Sequence, residues 1–523
     1  MKKHRRIKWF LGICILGVLW TGAVREAFPL ELADQRLIIN GTLQQEVLWH
    51  VNGSFIPDGA GYDITNFRTT LKLEGTWHAI QKPDYQLDLR VVFKDFYDAA
   101  LDIDGNYSHS MNLYSTHSAM HDLRYYDTFR DICREIFLNF TTDMYSIAIG
   151  KQIINWGETS AVRMADVVNP VDLLGLANQA FMTNFYDLKR GLFMGRFLFT
   201  PPNAPLSTSY ELLIIPEFEP DLYPPWGAYP PIGIVPPFEI FKPFAQAMDA
   251  MYSDRPKTWG EPQIGFRTRG QVGGFDWSLL YFYGRATTPI FDGNTGYKNY
   301  LIAYLGEHGH HYYGRSMVRD AYAYPFFNTF GFTLNRPFTF KVPLLFTWMD
   351  GNILHIESVL DYQRPFNRFT QGGGIVKVCN NERLNRYGLA VGWDSKVYIP
   401  WLTPRNNNNY LKAKFQLFQN WIQGRKESDE WGQYGTIKSF FGIPPTRRSS
   451  TKVTAELSYD FFKTRLMPFL YFSHNTTTGE GMYSPSLTVM PFNNWMITLS
   501  YVNFYHSIMK HTDYMAFGIE RDF

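Results

Sequence analysis

The stretch TKVTAELSYDF, Thr451 to Phe461, decides how this chain folds. Val453, Ala455, Leu457, Tyr459 and Phe461 alternate with Lys452, Thr454, Glu456, Ser458 and Asp460. A period of two puts one set on each face of a β-strand. The same reading extends outward to YQLDLRVVFKDF, where Leu87, Leu89, Val91 and Phe93 oppose Gln86, Asp88, Arg90 and Lys94. It fits TLKLEGTWHA through Leu71, Leu73 and Trp77, LKAKFQLFQNW through Leu411, Phe415, Leu417 and Trp421, and WMITLSYVNFY through Trp495, Ile497, Leu499 and Tyr501.

Segments of about ten residues, apolar on one side and ending in an aromatic, have the length of a strand that crosses an outer membrane. Strands of a soluble β-sandwich also alternate, but usually run to about five or six residues. Aromatics make up 17% and charged residues 19% of the chain, against about 25% charged in soluble domains. After the first thirty residues there is no apolar run of the roughly 20 residues that a membrane helix needs. Lipid tolerates β-structure only when the sheet closes on itself. The expected fold is therefore all-β, a transmembrane antiparallel barrel of about 16 strands, within a range of about 14 to 18, with a short helix in an inward loop.

MKKHRRIKWFLGICILGVLWTGA, Met1 to Ala23, reads as a secretory signal, with Lys2, Lys3, Arg5, Arg6 and Lys8 ahead of an apolar core and small residues at its end. Residues 24–523 are then one barrel, with long loops at about 157–189 and 216–262. Removing the signal takes five basic residues from 50, leaving 45 against 48 acidic, so no basic excess points to nucleic acid. Cys133 and Cys379 read as separate thiols, with a disulfide as the alternative. From Pro216 to Pro243 nine prolines deny ladder hydrogen bonds and predict a stiff loop, over the rim or as a lid or docking surface.

Several clusters invite chemistry. Glu307, His308, His310 and His311 are metal-binding types on a loop whose spacing fixes no geometry. TQGGGIVK, Thr370 to Lys377, is a turn, because no helix or Gly-Lys-Ser/Thr follows it. His506 with Ser500 and Ser507 is the one hydrolase candidate, and no Gly-x-Ser-x-Gly elbow supports it. The expectation is no enzyme, no metal and no cofactor.

The densest cluster is GKQIINWGET, Gly150 to Thr159, followed by RMADVVNP, Arg163 to Pro170. A strand ends here, Trp156 is expected at the membrane interface, and a loop of over about 30 residues follows; loops this long are usually functional. Asn169 as N-cap, Pro170 at the first helical position and Asp172 in the first turn predict a helix within it. Folded into the lumen, this loop makes Lys151, Asn155, Glu158, Arg163, Asp166, Asp172 and Lys189 the constriction candidates. Lying outside, it is only a capped surface loop.

At these residues IAIGKQIINWGETSAVRMADVVNPVDL resembles the hallmark of the bacterial domain-of-unknown-function family 1302. The matching positions are Gly150, Lys151, Gln152, Trp156, Gly157, Glu158, Asn169 and Pro170. The resemblance implies an outer-membrane barrel of a Gram-negative bacterium that moves hydrophobic or lipid-like molecules with periplasmic or inner-membrane partners. It brings no catalytic residues. The chain ends YMAFGIERDF, whose Phe517, Gly518, Ile519 and terminal Phe523 look like the signal read by the barrel assembly machinery.

The functional expectation is a porin-like channel or export conduit for a small or lipid-like solute, in contact with outer-membrane lipid. The alternative is a scaffold that sheathes or docks a periplasmic partner, a lipid carrier or an electron-transfer protein.

Overall fold

The structure is a computed structural model that describes residues 30–32, 36–51, 64–103, 124–126, 128–159, 164–172, 185–222, 258–287, 290–291, 322–342, 347–372, 375–397, 410–424, 448–462, 464–506 and 513–523. Their alternating sequences form β1 (Leu37–His50), β2 (Ile64–Gln81), β3 (Tyr85–Asp98), β4 (Cys133–Thr142), β5 (Tyr145–Gln152), β6 (Leu192–Phe199), β7 (Ser209–Phe218), β8 (Thr258–Val272) and β9 (Phe275–Arg285). There follow β10 (Phe326–Val342), β11 (Thr347–Gly372), β12 (Ile375–Val397), β13 (Leu411–Ile422), β14 (Ser449–Tyr459), β15 (Leu466–Asn475), β16 (Gly481–Val489), β17 (Trp495–Tyr505) and β18 (Tyr514–Asp522).

Each strand pairs antiparallel with the next, and β18 returns to β1 in register from Thr42↔Asp522 to His50↔Tyr514. The ring is a closed 18-stranded barrel, at the upper limit of the expected range. Closure satisfies every edge, which is what the hydrocarbon layer demands. A barrel of this width leaves an aqueous lumen unless the chain itself fills it.

The period of two sorts the side chains as expected. Leu71, Trp77, Phe415, Leu417, Trp421 and Leu499 are exposed on the outer face, beside Ile149, Phe197, Ile214 and Leu389 from the neighbouring strands. Water would penalise this apolar surface, whereas lipid accepts it. The chain is an outer-membrane barrel. The intervening positions, such as Glu211, Arg267 and Glu357, point into the lumen and are buried there. The short turns Lys82–Asp84, Asp143–Met144 and Gly273–Gly274 lie at the Leu37 and Asp522 end, which the usual asymmetry of such barrels makes periplasmic. Among the described residues no helix is long and apolar enough to cross a membrane.

Three local expectations are corrected. Pro216 lies within β7, where the β7–β8 register shifts between Ile215 and Glu217, so a bulge accommodates the missing N–H. Residues 223–243, the greater part of the proline-rich stretch, lie outside the described residues. The polar composition of HNTTTGEGMYS, His474 to Ser484, predicts a long loop, but most of it is strand, since β15 runs to Asn475 and β16 starts at Gly481. The loop expected at about 157–189 also starts earlier and ends later, because β5 stops at Gln152 and β6 begins at Leu192. Cys133 is a free, buried thiol.

Candidate functional site

β5 delivers the chain to the lumen by a local device. Gly150 sits at φ 136, and a side chain there would meet the Ile136 carbonyl and Phe137 of β4. Two residues on, Gln152 is buried on the inward face and donates from Nε2 to the Met194 carbonyl of β6 at 3.1 Å. The strand ends there, and Ile154 and Trp156 continue inward rather than outward.

Trp156 is 1% exposed and packs with Ile154, Met164, Ala165 and Val168 against inward residues of six wall strands, among them Met194, Leu213, Phe282 and Phe418. Its indole Nε1 donates to Glu211 Oε2 at 3.1 Å. Trp156 is thus no interface aromatic, and that expectation is overturned. It plugs an apolar patch of the lumen wall, and burial of an indole contributes on the order of 4 kcal/mol. The loop folds inward over its described residues.

Polar anchors complete the attachment. Glu357 of β11 is fully buried and its carboxylate accepts three backbone N–H groups of the loop: Glu158 and Ala165, the latter at 3.1 Å, and Thr159 at 2.6 Å. Asn169 closes the loop at its base. Its Nδ2 donates to the carbonyls of Gln152 at 3.0 Å and Arg190 at 2.8 Å, and its Oδ1 accepts from Ile154 N–H at 2.7 Å. Pro170 O then accepts Arg190 N–H, and Val171 bridges antiparallel to Lys189. Residues 169–172 are therefore the edge of a small bridge, and the predicted helix start at Asn169 and Pro170 is wrong: the Asn169 amide bonds across the loop instead of capping a following turn. The rest of that predicted helix, 173–184, lies outside the described residues, as does Arg163. Replacing Asn169 with alanine orphans three buried backbone groups and should cost about 2–4 kcal/mol, read as a lower temperature for the heat-induced mobility shift on detergent gels.

The other constriction candidates separate into distinct roles. Asn155 and Glu158 have exposed side chains on the inward loop. Asp166 and Lys189 form a salt bridge of 2.5 Å, with Lys189 also bonded to Asn155 Oδ1 and the Ile154 carbonyl. Lys151 falls on the outward face of β5, in register with Ile136 and Phe193, and its Nζ caps the Arg130 carbonyl, so it is not a lumenal charge. Asp172 is buried against Arg134 at 2.8 Å and accepts from Tyr126. Burial pushes the Tyr126 hydroxyl well above its ordinary range, so it stays a donor.

Sequence reasoning missed the residues that hold this arrangement. Arg190, 4% exposed, bonds Asp131 and Glu219, the latter at 2.7 Å, and Arg130 bonds both Glu217 and Glu219. Burial works to lower the Arg190 pKa, but the facing Glu219 and Asp131 outweigh it and raise it. Lower on the wall, Arg196 and Arg267 both meet Glu211, at 2.6 and 2.8 Å, leaving one positive charge in excess beside Trp156. The legible signal was parity: Arg196, Glu211 and Arg267 fall on inward positions of β6, β7 and β8, and Glu211 lies directly opposite Arg267.

The hydrolase candidate is not assembled. Ser500 is buried on the inward face of β17, whereas His506 follows the end of that strand and stacks edge-on against Tyr505 at 5.9 Å. Ser507 and the 307–311 His cluster lie outside the described residues. Among the described residues no three metal-ligating side chains come together. Gly372 ends β11 opposite Ile375 at the start of β12, and residues 373–374 lie outside the described residues.

No protein-family model matches this chain, and no curated protein does. The resemblance to family 1302 stands on the quoted residues alone. Among solved structures the chain is similar to OccAB2 of Acinetobacter baumannii, with 8% identity and a TM-score of 0.45, covering 93% of this chain and 98% of that one. It is similar to OccK1 (OpdK) of Pseudomonas aeruginosa, with 7% identity and a TM-score of 0.46 over 93% and 98%. OmpF of Salmonella typhi, in a complex with daunomycin, gives 10% identity and a TM-score of 0.38 over 93% and 97%. The assignment as a closed barrel rests on this chain's own ladder.

Proposed function

We propose that this protein is a non-enzymatic, porin-like channel of the outer membrane, in which the described residues 153–159 and 164–172 narrow the lumen and set what passes. The observation that carries it is Trp156, buried on the inside of the wall, because a loop seated there must reduce the bore. Of the small or lipid-like solutes expected, the charged wall at Arg196, Glu211 and Arg267 supports a small water-soluble cargo over the lipid-like one that the family resemblance implies, since an apolar solute would desolvate these groups without replacing their hydrogen bonds. Matching periplasmic partners, if the chain has them, would meet the end carrying the short turns. The purified protein alone in a planar lipid bilayer should give steady single-channel currents. Silence until a second protein is added would refute the channel and favour the sheathing scaffold.

A further inference from the structure

The lumen wall is not uniformly charged. The named loop contacts fall on β6 to β13, on β4 through Arg134, and on β2 and β3 through Asp187, which bonds Lys72 at 2.9 Å and whose carbonyl accepts from Lys94. The remaining arc includes β15, β16 and β17. Cross-strand register puts Phe469 opposite Ser486, Tyr471 opposite Ser484, Ser486 opposite Ser500 and Thr488 opposite Thr498. All of these point inward, because the alternate positions Leu470, Phe472, Tyr483, Leu487 and Leu499 are exposed to lipid. Every inward position of the three strands is uncharged, while their neighbours resume charges, Lys452 and Glu456 on β14 and Glu520 on β18.

Two hydroxyls on this arc are unspent. Ser484 is 1% and Ser500 3% exposed, and neither Oγ has a hydrogen-bond partner among the described residues. A buried hydroxyl without a partner is costly. It can donate one hydrogen bond and accept others, which suits a group that does the same. A carboxylate or ammonium would find no counter-charge on these strands and would lose hydration. An alkyl chain would leave both hydroxyls unpaired. Phe469 and Tyr471 offer flat apolar faces next to them.

We propose that this charge-free arc is a binding track for neutral polyhydroxylated solutes, sugars or polyols, with Ser484 and Ser500 as hydrogen-bonding partners and Phe469 and Tyr471 as stacking faces. The proposal rests on the channel reading and names its cargo. The test uses the full chain in planar bilayers, with sucrose as probe. In the wild type, sucrose should block ion current with a saturable dose response. The paired variants Ser484→Ala and Ser500→Ala should conduct as before but need about tenfold more sucrose for half-block, as loss of two hydrogen bonds implies. The pair Ser484→Thr and Ser500→Thr, which keeps both hydroxyls, should retain the wild-type response. A channel that conducts yet shows only the non-saturable fall expected from the added viscosity overturns the track, as does identical block in the alanine pair. A silent wild type overturns the channel reading itself, and the track with it.

Discussion

Replacing Glu357 with alanine is expected to raise single-channel conductance severalfold, with the barrel still inserted. This carboxylate takes the N–H groups of Glu158, Thr159 and Ala165, residues that lie 199, 198 and 192 positions away in sequence. No other wall side chain grips the loop through so many of its backbone donors among the bonds described above. Its removal leaves those donors unpaired in a buried setting, at about 1–3 kcal/mol each. Releasing the segment into the water of the lumen is then the less costly state. Glu357→Gln, which keeps one carbonyl acceptor, should fall between the two. Bilayer recordings at fixed salt decide it, and unchanged conductance in the alanine variant would refute a latch.

A second large effect is expected at Arg190. Arg190→Ala takes the guanidinium from buried Asp131 and one of two from Glu219, which keeps Arg130, and breaking such a pair from one side costs about 3–5 kcal/mol. The heat-induced gel shift of the folded barrel should move to markedly lower temperature. Arg190→Lys should recover only part of the loss, because an ammonium lacks the fork that reaches two carboxylates together. A variant that melts with the wild type would show the network to be dispensable.

The barrel was legible because lipid on one side and water on the other impose a period of two, and residues such as Leu71, Leu417 and Leu499 obey it. Strand number was less so, since β11 and β12 are long ribbons whose residues could be shared among shorter strands. Trp156 was misread because an aromatic after a strand usually marks the interface. Counting in twos from inward Gln152 through Ile154 gives it lumen parity, and that was readable. Glu357 was not found, though its cross-strand neighbours Thr333 and Ala390 offer no cation. A carboxylate on an inward face without a partner in register is a sign that something else comes to meet it. Asn169 and Pro170 fit a helix start locally, and only the long-range closure with Gln152 and Arg190 shows their use.

The inward loop also constrains the order of assembly. Trp156 is enclosed by wall residues from β6 through β13, and its latch Glu357 comes two hundred residues later in synthesis. Contacts separated so far along the chain form late and slowly. Seating Trp156 needs wall residues that are made after it, so the loop reaches its final contacts only as β9 to β13 join the wall. The segment that narrows the finished pore thus joins early strands to late ones, and variants that loosen it, Glu357→Ala among them, should insert more slowly while still reaching the closed barrel.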